Sequence, residues 1–205
     1  MLLIPTPARH ADHARHPRAS SPSSLAIALA PLVCLAAFTS ASDAGGQSDA
    51  VQWRVEDGGN GHWYALAEDA TSGSPGVCWP DALSRARAAG GDLVSLTSRD
   101  ENLFVAEVLT TFPDCSSYSL LGWIGIVGDG TWSDGEAVTY TNWSGGGPSG
   151  DGPHATMNTT TRGGSWNDIG GSDGCHTDPS CPFNRWIVEW SADCNGDGIV
   201  DYGQI

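Results

Sequence analysis

The chain has 205 residues, room for a short export segment and one globular domain but too few for a second full domain. Nine basic residues face 24 acidic ones, a net charge of −15. Phosphate neutralisation needs clustered Arg and Lys, so nucleic acid is excluded as a partner; acidity of this kind serves solubility, or it supplies carboxylates to calcium.

Residues 1–41 begin with a stretch holding Arg9, Arg15 and Arg18 and continue into an apolar run over 25–38 broken only by Pro31. That run is 14 residues long, short of the ~20 needed to span a bilayer, and Thr39-Ser40-Ala41 supplies small residues for cleavage. The segment reads as a signal peptide and places the protein outside the cell or at its surface. Val33 before Cys34 is too bulky for the usual lipidation signal. Without residues 1–41 the chain keeps six Arg against 23 acidic residues, a charge of −17. It also keeps Cys78, Cys115, Cys175, Cys181 and Cys194, an odd number that in an exported protein favours disulfides. Cys175 and Cys181 are close enough in sequence to close a small loop.

The alternation Val51, Trp53, Val55 predicts a strand, Asp57-Gly58-Gly59-Asn60-Gly61 a turn, and Trp63, Tyr64, Leu66 a second strand, together a hairpin. Pro80 suits a helix's first turn, and Ala82, Leu83, Ala86 and Ala89 make an apolar stripe that stops at Gly90-Gly91. A second helix is signalled by Thr97-Ser98-Arg99-Asp100-Glu101, with Ser98 as cap and Glu101 three residues on. Leu103, Phe104, Val105 and Val108 are its expected buried side. Beyond Cys115, residues 121–127, 137–141, 155–157 and 185–190 read as short strands. Between them lie long loops, 142–153 with five Gly, two Pro and two Ser, and 163–182 with almost no aliphatic residue. Loops of this length inside one domain are functional or disordered. The expected class is α+β, two helices with short antiparallel strands and a long Gly- and Trp-rich loop region.

Over roughly residues 50–190 the chain resembles the C-type-lectin-like domain family. Gly90-Gly91-Asp92-Leu93-Val94-Ser95-Leu96 is similar to the family's G-G-x-L-x-S-I/L, and Asp100-Glu101-Asn102 opens its second helix. Trp123-Ile124-Gly125-Ile126 resembles the W-I-G-L strand. Trp132-Ser133-Asp134-Gly135-Glu136, Tyr140-Thr141-Asn142-Trp143, Trp166-Asn167-Asp168 and Ile187-Val188-Glu189 follow in the family's order. Trp123, Trp132, Trp143, Trp166 and Trp186 are expected to be buried anchors, since the loops contribute little core. The family's disulfide between first helix and last strand would fall at Ala86 and Val188, so both partners are absent together. Cys78 and Cys194 are candidates for a substitute tie between the same regions.

In sugar-binding members a calcium ion is held by an E-P-N or Q-P-D tripeptide, a further acid and the W-N-D pair, with two sugar hydroxyls completing the shell. Here the tripeptide aligns to Gly147-Pro148-Ser149. The resemblance therefore implies a ligand-binding set of Ser149, Asp151, Asn167 and Asp168, with Asn167 and Asp168 as metal ligands. Calcium affinity is weakened, because fewer carboxylates remain and charge count controls it. Without an ion, Asn167-Asp168 reads as a capped turn beside Trp166. At the C-terminus Asp193-Cys194-Asn195-Gly196-Asp197-Gly198-Ile199-Val200-Asp201 follows an EF-hand or dockerin-like calcium loop. Asp193, Asn195, Asp197 and Asp201 stand at positions 1, 3, 5 and 9, but Gln204 falls where a bidentate acid belongs, so residues 191–205 make an incomplete calcium tail. Asn142-Trp143-Ser144 and Asn158-Thr159-Thr160 fit the N-glycosylation pattern.

Catalysis has no motif to rest on. His62, His154 and His176 have no nearby Cys or Ser in a recognisable nucleophile motif, and G-x-S-x-G and H-E-x-x-H are absent. Two readings follow. One is an extracellular recognition module binding carbohydrate or protein through the loop over 142–168; the other is a structural or adhesive domain of a calcium-dependent assembly.

Overall fold

The computed structural model describes residues 50–69, 71, 76–109, 120–128, 130–159, 162–171, 173–176 and 183–191, all within the unit Cys34–Ile205. The signal-peptide reading of residues 1–41 and the calcium tail with Asp193, Asn195, Asp197 and Asp201 lie outside them. Strand β1 is Val51–Gln52 and β2 is Trp63–Glu68; helix α1 is Trp79–Ala88, β3 is Asp92–Leu93 and helix α2 is Arg99–Leu109. Then come β4 (Leu120–Trp123), β5 (Ile126–Val127), β6 (Thr131–Trp132), β7 (His154–Asn158), β8 (Trp166–Ile169) and β9 (Arg185–Trp190). Two helices and a largely antiparallel sheet make the expected α+β class.

The sheet runs β1-β2-β9-β4-β7-β8, with β3 also paired to β9. β2 and β9 are antiparallel from Trp63↔Trp190 to Glu68↔Arg185, whereas β4 meets β9 in parallel at Trp123↔Trp186. Alternate side chains of a strand leave on opposite faces, and the sheet uses both. Tyr64, Leu66 and Ile187 join Val105, Ala106 and Leu109 of α2 in one buried cluster. Ala65, Ala67, Trp186 and Val188 join Ala82 and Ala86 of α1 in the other. Covered on both sides, β9 is buried along its whole length. Ala86 and Val188, standing where the resemblance puts a disulfide, share the α1-side cluster and replace a cross-link with apolar packing.

The indoles anchor this frame with their N–H groups as well as their area. Trp123 Nε1 donates to the Val77 carbonyl at 2.8 Å and Trp79 Nε1 to that of Ile124 at 2.8 Å. Trp166 Nε1 donates to Asn102 Oδ1 at 2.7 Å, and Asn102 Nδ2 to the Gly164 carbonyl at 3.2 Å, which fixes α2 against β8. Trp123, Trp132, Trp166 and Trp186 are buried as expected, with Trp143 packed half-buried at the edge of the cluster.

Several expectations are corrected. The covalent tie is Cys78–Cys175, neither a Cys175–Cys181 loop nor a Cys78–Cys194 link; it joins the start of α1 to the segment after β8 across a sequence separation of 97. Cys115, Cys181 and Cys194 lie outside the described residues. Ser98 caps α2 by accepting the Glu101 N–H at 3.2 Å, but Leu103 is 36% exposed. Glu101 and Asn102 take the inward positions because each finds buried partners. Val138 and Tyr140 pack against the core from outside, yet residues 137–141 form only a bridge between Ala137 and Thr131. The first strand ends at Gln52 and gives way to a 3-10 turn, Val55–Asp57. Trp166-Asn167-Asp168 is not a capped turn but the body of β8, paired with β7 from Met157↔Trp166 to His154↔Ile169.

Candidate functional site

The loop over 142–168 is pinned at both ends, which leaves a shorter excursion than the sequence implies. Residues 142–144 run beside β8: the Trp166 N–H donates to the Asn142 carbonyl at 2.7 Å and the Ser144 N–H to that of Trp166 at 2.8 Å. From His154 the chain is strand β7. The free part is residues 145–153, where Gly145, Gly146, Pro148, Ser149, Gly150 and Asp151 are exposed. The Gly147-Pro148 peptide is cis. A Cβ at Gly152 would lie 2.4 Å from the Ile169 carbonyl oxygen, so only glycine lets the turn close against β8.

Asp168, 2% exposed, sits beneath this turn. Its Oδ1 accepts the Ser149 N–H at 2.8 Å, and its Oδ2 accepts the N–H groups of Gly150 at 2.5 Å and Asp151 at 3.1 Å. The Ser149 hydroxyl bridges the two acids, 3.0 Å from Asp168 Oδ1 and 2.8 Å from Asp151 Oδ2. Gly150 has φ 86, the left-handed conformation that turns successive N–H groups toward one anion. Burial pushes the Asp168 carboxyl up, but the Ser149 and Gly150 N–H groups and the Ser149 hydroxyl outweigh it and hold the pKa below the ordinary value.

Three of the four expected ligand-binding residues, Ser149, Asp151 and Asp168, thus converge. Hydrogen bonds within the turn engage both oxygens of Asp168 and Oδ2 of Asp151. Asn167 is half-buried in β8, paired through its backbone with Thr156. A calcium at this place would find carboxylate oxygens on Asp168 and Asp151 and would compete with the three N–H groups for those of Asp168.

Both sequon amides have internal acceptors. Asn142 Nδ2 donates to the carbonyls of Gly163 and Gly164 at 3.1 and 3.0 Å, and Asn158, buried, donates to Ser165 Oγ at 3.0 Å. His154 stacks on Trp79 with ring centroids 3.9 Å apart, its Nδ1 3.3 Å from the Ile126 carbonyl. Burial lowers its pKa against the opposing pull of that carbonyl, so it is a packed ring.

A second polar constellation escaped the sequence. His62, Glu101 and Glu189 bring nitrogen and carboxylate oxygens within 4.8 Å of one another, and protein donors already serve both acids. Glu101 Oε1 accepts the Tyr64 hydroxyl at 2.6 Å and Asn60 Nδ2 at 2.9 Å; Oε2 accepts the Thr97 N–H at 2.7 Å and its hydroxyl at 2.8 Å. Glu189 Oε1 accepts from His62 Nδ1 at 2.5 Å and Oε2 from the Ser95 N–H at 2.8 Å. The Tyr64 hydroxyl, buried beside these acids, is pushed far above its ordinary pKa. The signal in the sequence was a potential capping acid at Glu101 and an isolated His62, which nothing local connects.

Comparison with known proteins agrees with this architecture. The sequence matches the family described as "Lectin C-type domain" over residues 76–180. It is 36% identical over 98 residues to a snaclec, salmorin, of Gloydius brevicauda, covering 41% of this chain and 55% of that protein. It is 32% identical over 76 residues to a Perlucin-like protein of Mytilus galloprovincialis, covering 36% of this chain and 49% of that one. The chain thus spans about half the length of these curated relatives. Human lithostathine superposes with TM-score 0.50 at 21% identity, covering 69% of this chain and 95% of that one. The structure titled SPL-1 - GlcNAc complex gives 0.51 at 18% identity, covering 75% of this chain and all of that one. Among the described residues no helix is long and apolar enough to cross a membrane. With family motifs, fold and sequence match in agreement, the chain belongs to the C-type lectin domain family, whose members are binding modules rather than enzymes.

Proposed function

We propose that the domain is an extracellular recognition module that binds carbohydrate or protein through the exposed turn over residues 145–153, and that it does so without a calcium ion at Asp168. The observation that carries this reading is the saturation of the Asp168 carboxylate by three main-chain N–H groups and the Ser149 hydroxyl. In a calcium-dependent site that carboxylate would be shared between ion and sugar hydroxyls. Here the turn draws on it instead, and the backbone holds one shape with no ion to order it. A turn held in place before a partner arrives loses less entropy on binding.

Asp151 and the Ser149 hydroxyl are the polar groups the turn offers at its surface. The test is a glycan array, with an extracellular-protein panel alongside it, probed in calcium and again in chelator. Binding that survives chelator and is lost on Asp151→Ala supports the reading. Binding that chelator abolishes returns the site to calcium-dependent recognition.

A further inference from the structure

The described residues hold a buried charge imbalance that recognition does not use. Glu101 from α2 and Glu189 from β9 are 1% and 7% exposed. Each uses both carboxylate oxygens within the protein, and the two stand in one pocket behind the hairpin turn. Two buried carboxylates this close repel each other unless a cation or a proton intervenes. The group in place to do so is His62, at the end of the hairpin turn just before β2, whose Nδ1 donates to Glu189 Oε1 at 2.5 Å.

We propose that the His62 imidazolium is a proton-operated tether that fastens the turn of the β1-β2 hairpin, ahead of the β2–β9 pairing, to α2 and β9, releasing that turn as the ring loses its charge. Four observations carry it. The contact joins residues 127 apart in sequence and is short, as charge-assisted bonds are. The acids that act on the ring come from separate parts of the fold: Glu189 on β9, Glu101 on α2 and the exposed Glu136 after β6, with the neutral Tyr64 hydroxyl of β2 completing the pocket. The same turn is held to the hairpin by the Trp53 N–H on the His62 carbonyl at 2.9 Å and the Gly61 N–H on that of Trp53 at 2.8 Å, so movement of His62 is passed to the hairpin backbone. Asn60 reaches from the turn to Glu101 and Tyr64, so the turn touches both walls of the pocket.

The electrostatic directions agree with this geometry. Burial lowers the His62 pKa, but the hydrogen bond and charge of Glu189 with the charges of Glu101 and Glu136 outweigh it, and the net shift is upward. Burial raises Glu189, against the opposing effects of His62 and the Ser95 N–H. Both groups hold protons more tightly folded than unfolded. The His62 contribution is therefore complete below the ordinary histidine value of about 6.5 and is lost as pH rises through the higher folded value.

The experiment is an NMR titration of His62 in the full chain in chelator, beside amide exchange of Trp53 and Gly61 corrected for intrinsic rate. The expected His62 midpoint lies above about 6.5 and falls in Glu189→Gln; protection of the two amides drops over the same pH interval. If Glu189→Gln fails to fold, His62→Gln supplies the second arm, and its amide protection is expected to be flat across that interval. A His62 midpoint at or below the free value, or hairpin protection that falls with pH equally in His62→Gln, overturns the proposal.

Discussion

Asp168 and Gly150 meet at 2.5 Å, carboxylate oxygen on main-chain N–H. This contact, with those of Ser149 and Asp151, turns a position that the resemblance marks as a metal ligand into the internal anchor of its own loop. Asp168 belongs to β8 and Gly150 to the exposed turn, so the sheet itself sets the shape of the surface presented to a partner.

Asp168→Ala is expected to release the turn at a cost of about 2 kcal/mol. That is near the lower end for hydrogen bonds to a charged group, because water can solvate the freed N–H groups of an exposed turn. Urea unfolding measures the loss. Its pH dependence has a definite sign: a depressed carboxyl stabilises above its ordinary value of about 3.9 and loses that contribution as pH falls through the folded value. The gap between wild type and variant should be full at neutral pH and close in strong acid.

Reduction of Cys78–Cys175 reopens a loop spanning 97 positions. Chain entropy alone assigns such a loop about 4–5 kcal/mol. Cys78→Ser should lose most of that in a denaturant titration run against wild type without reductant.

Asn102→Ala leaves the buried Trp166 N–H without its acceptor and is expected to cost about 3 kcal/mol, the penalty of an unpaired buried donor plus lost packing. Leu103→Ala, one residue on and at the surface, should stay within about 0.5 kcal/mol. Equal losses in the two variants would mean that the phase of α2 is misassigned.

Those two neighbours show what the sequence could and could not disclose. Apolar periodicity and caps marked both helices, and the order of tryptophan motifs marked the family. Counting apolar residues nevertheless turned Leu103 inward, because Asn102 and Glu101 are polar residues buried by partners as remote as Trp166 and Tyr64. β8 was missed because Asn167 and Asp168 at its centre are poor strand formers, and they masked Trp166 and Ile169 on either side. At the candidate site the acids were legible but their state was not. The donors that occupy Asp168 are main-chain N–H groups, which every non-proline residue possesses and only a fold can aim.

Expression in a glycosylating host is expected to give folded protein unmodified at Asn158. The Asn158 amide is committed to an internal acceptor, and a glycan on Asn158 would have to leave the buried strand β7. Intact mass of the folded fraction checks this; a full complement of glycan on Asn158 would contradict the packing of β7 against β8.

The most direct measurement is the amide proton resonance of Gly150 in the full chain, followed as calcium is raised into the millimolar range. With Asp168 held by the turn, the resonance stays downfield and unmoved, while Asp168→Asn shifts it upfield. Movement of the wild-type resonance on calcium addition, saturating and reversed by chelator, would show instead that the ion takes the carboxylate from the turn.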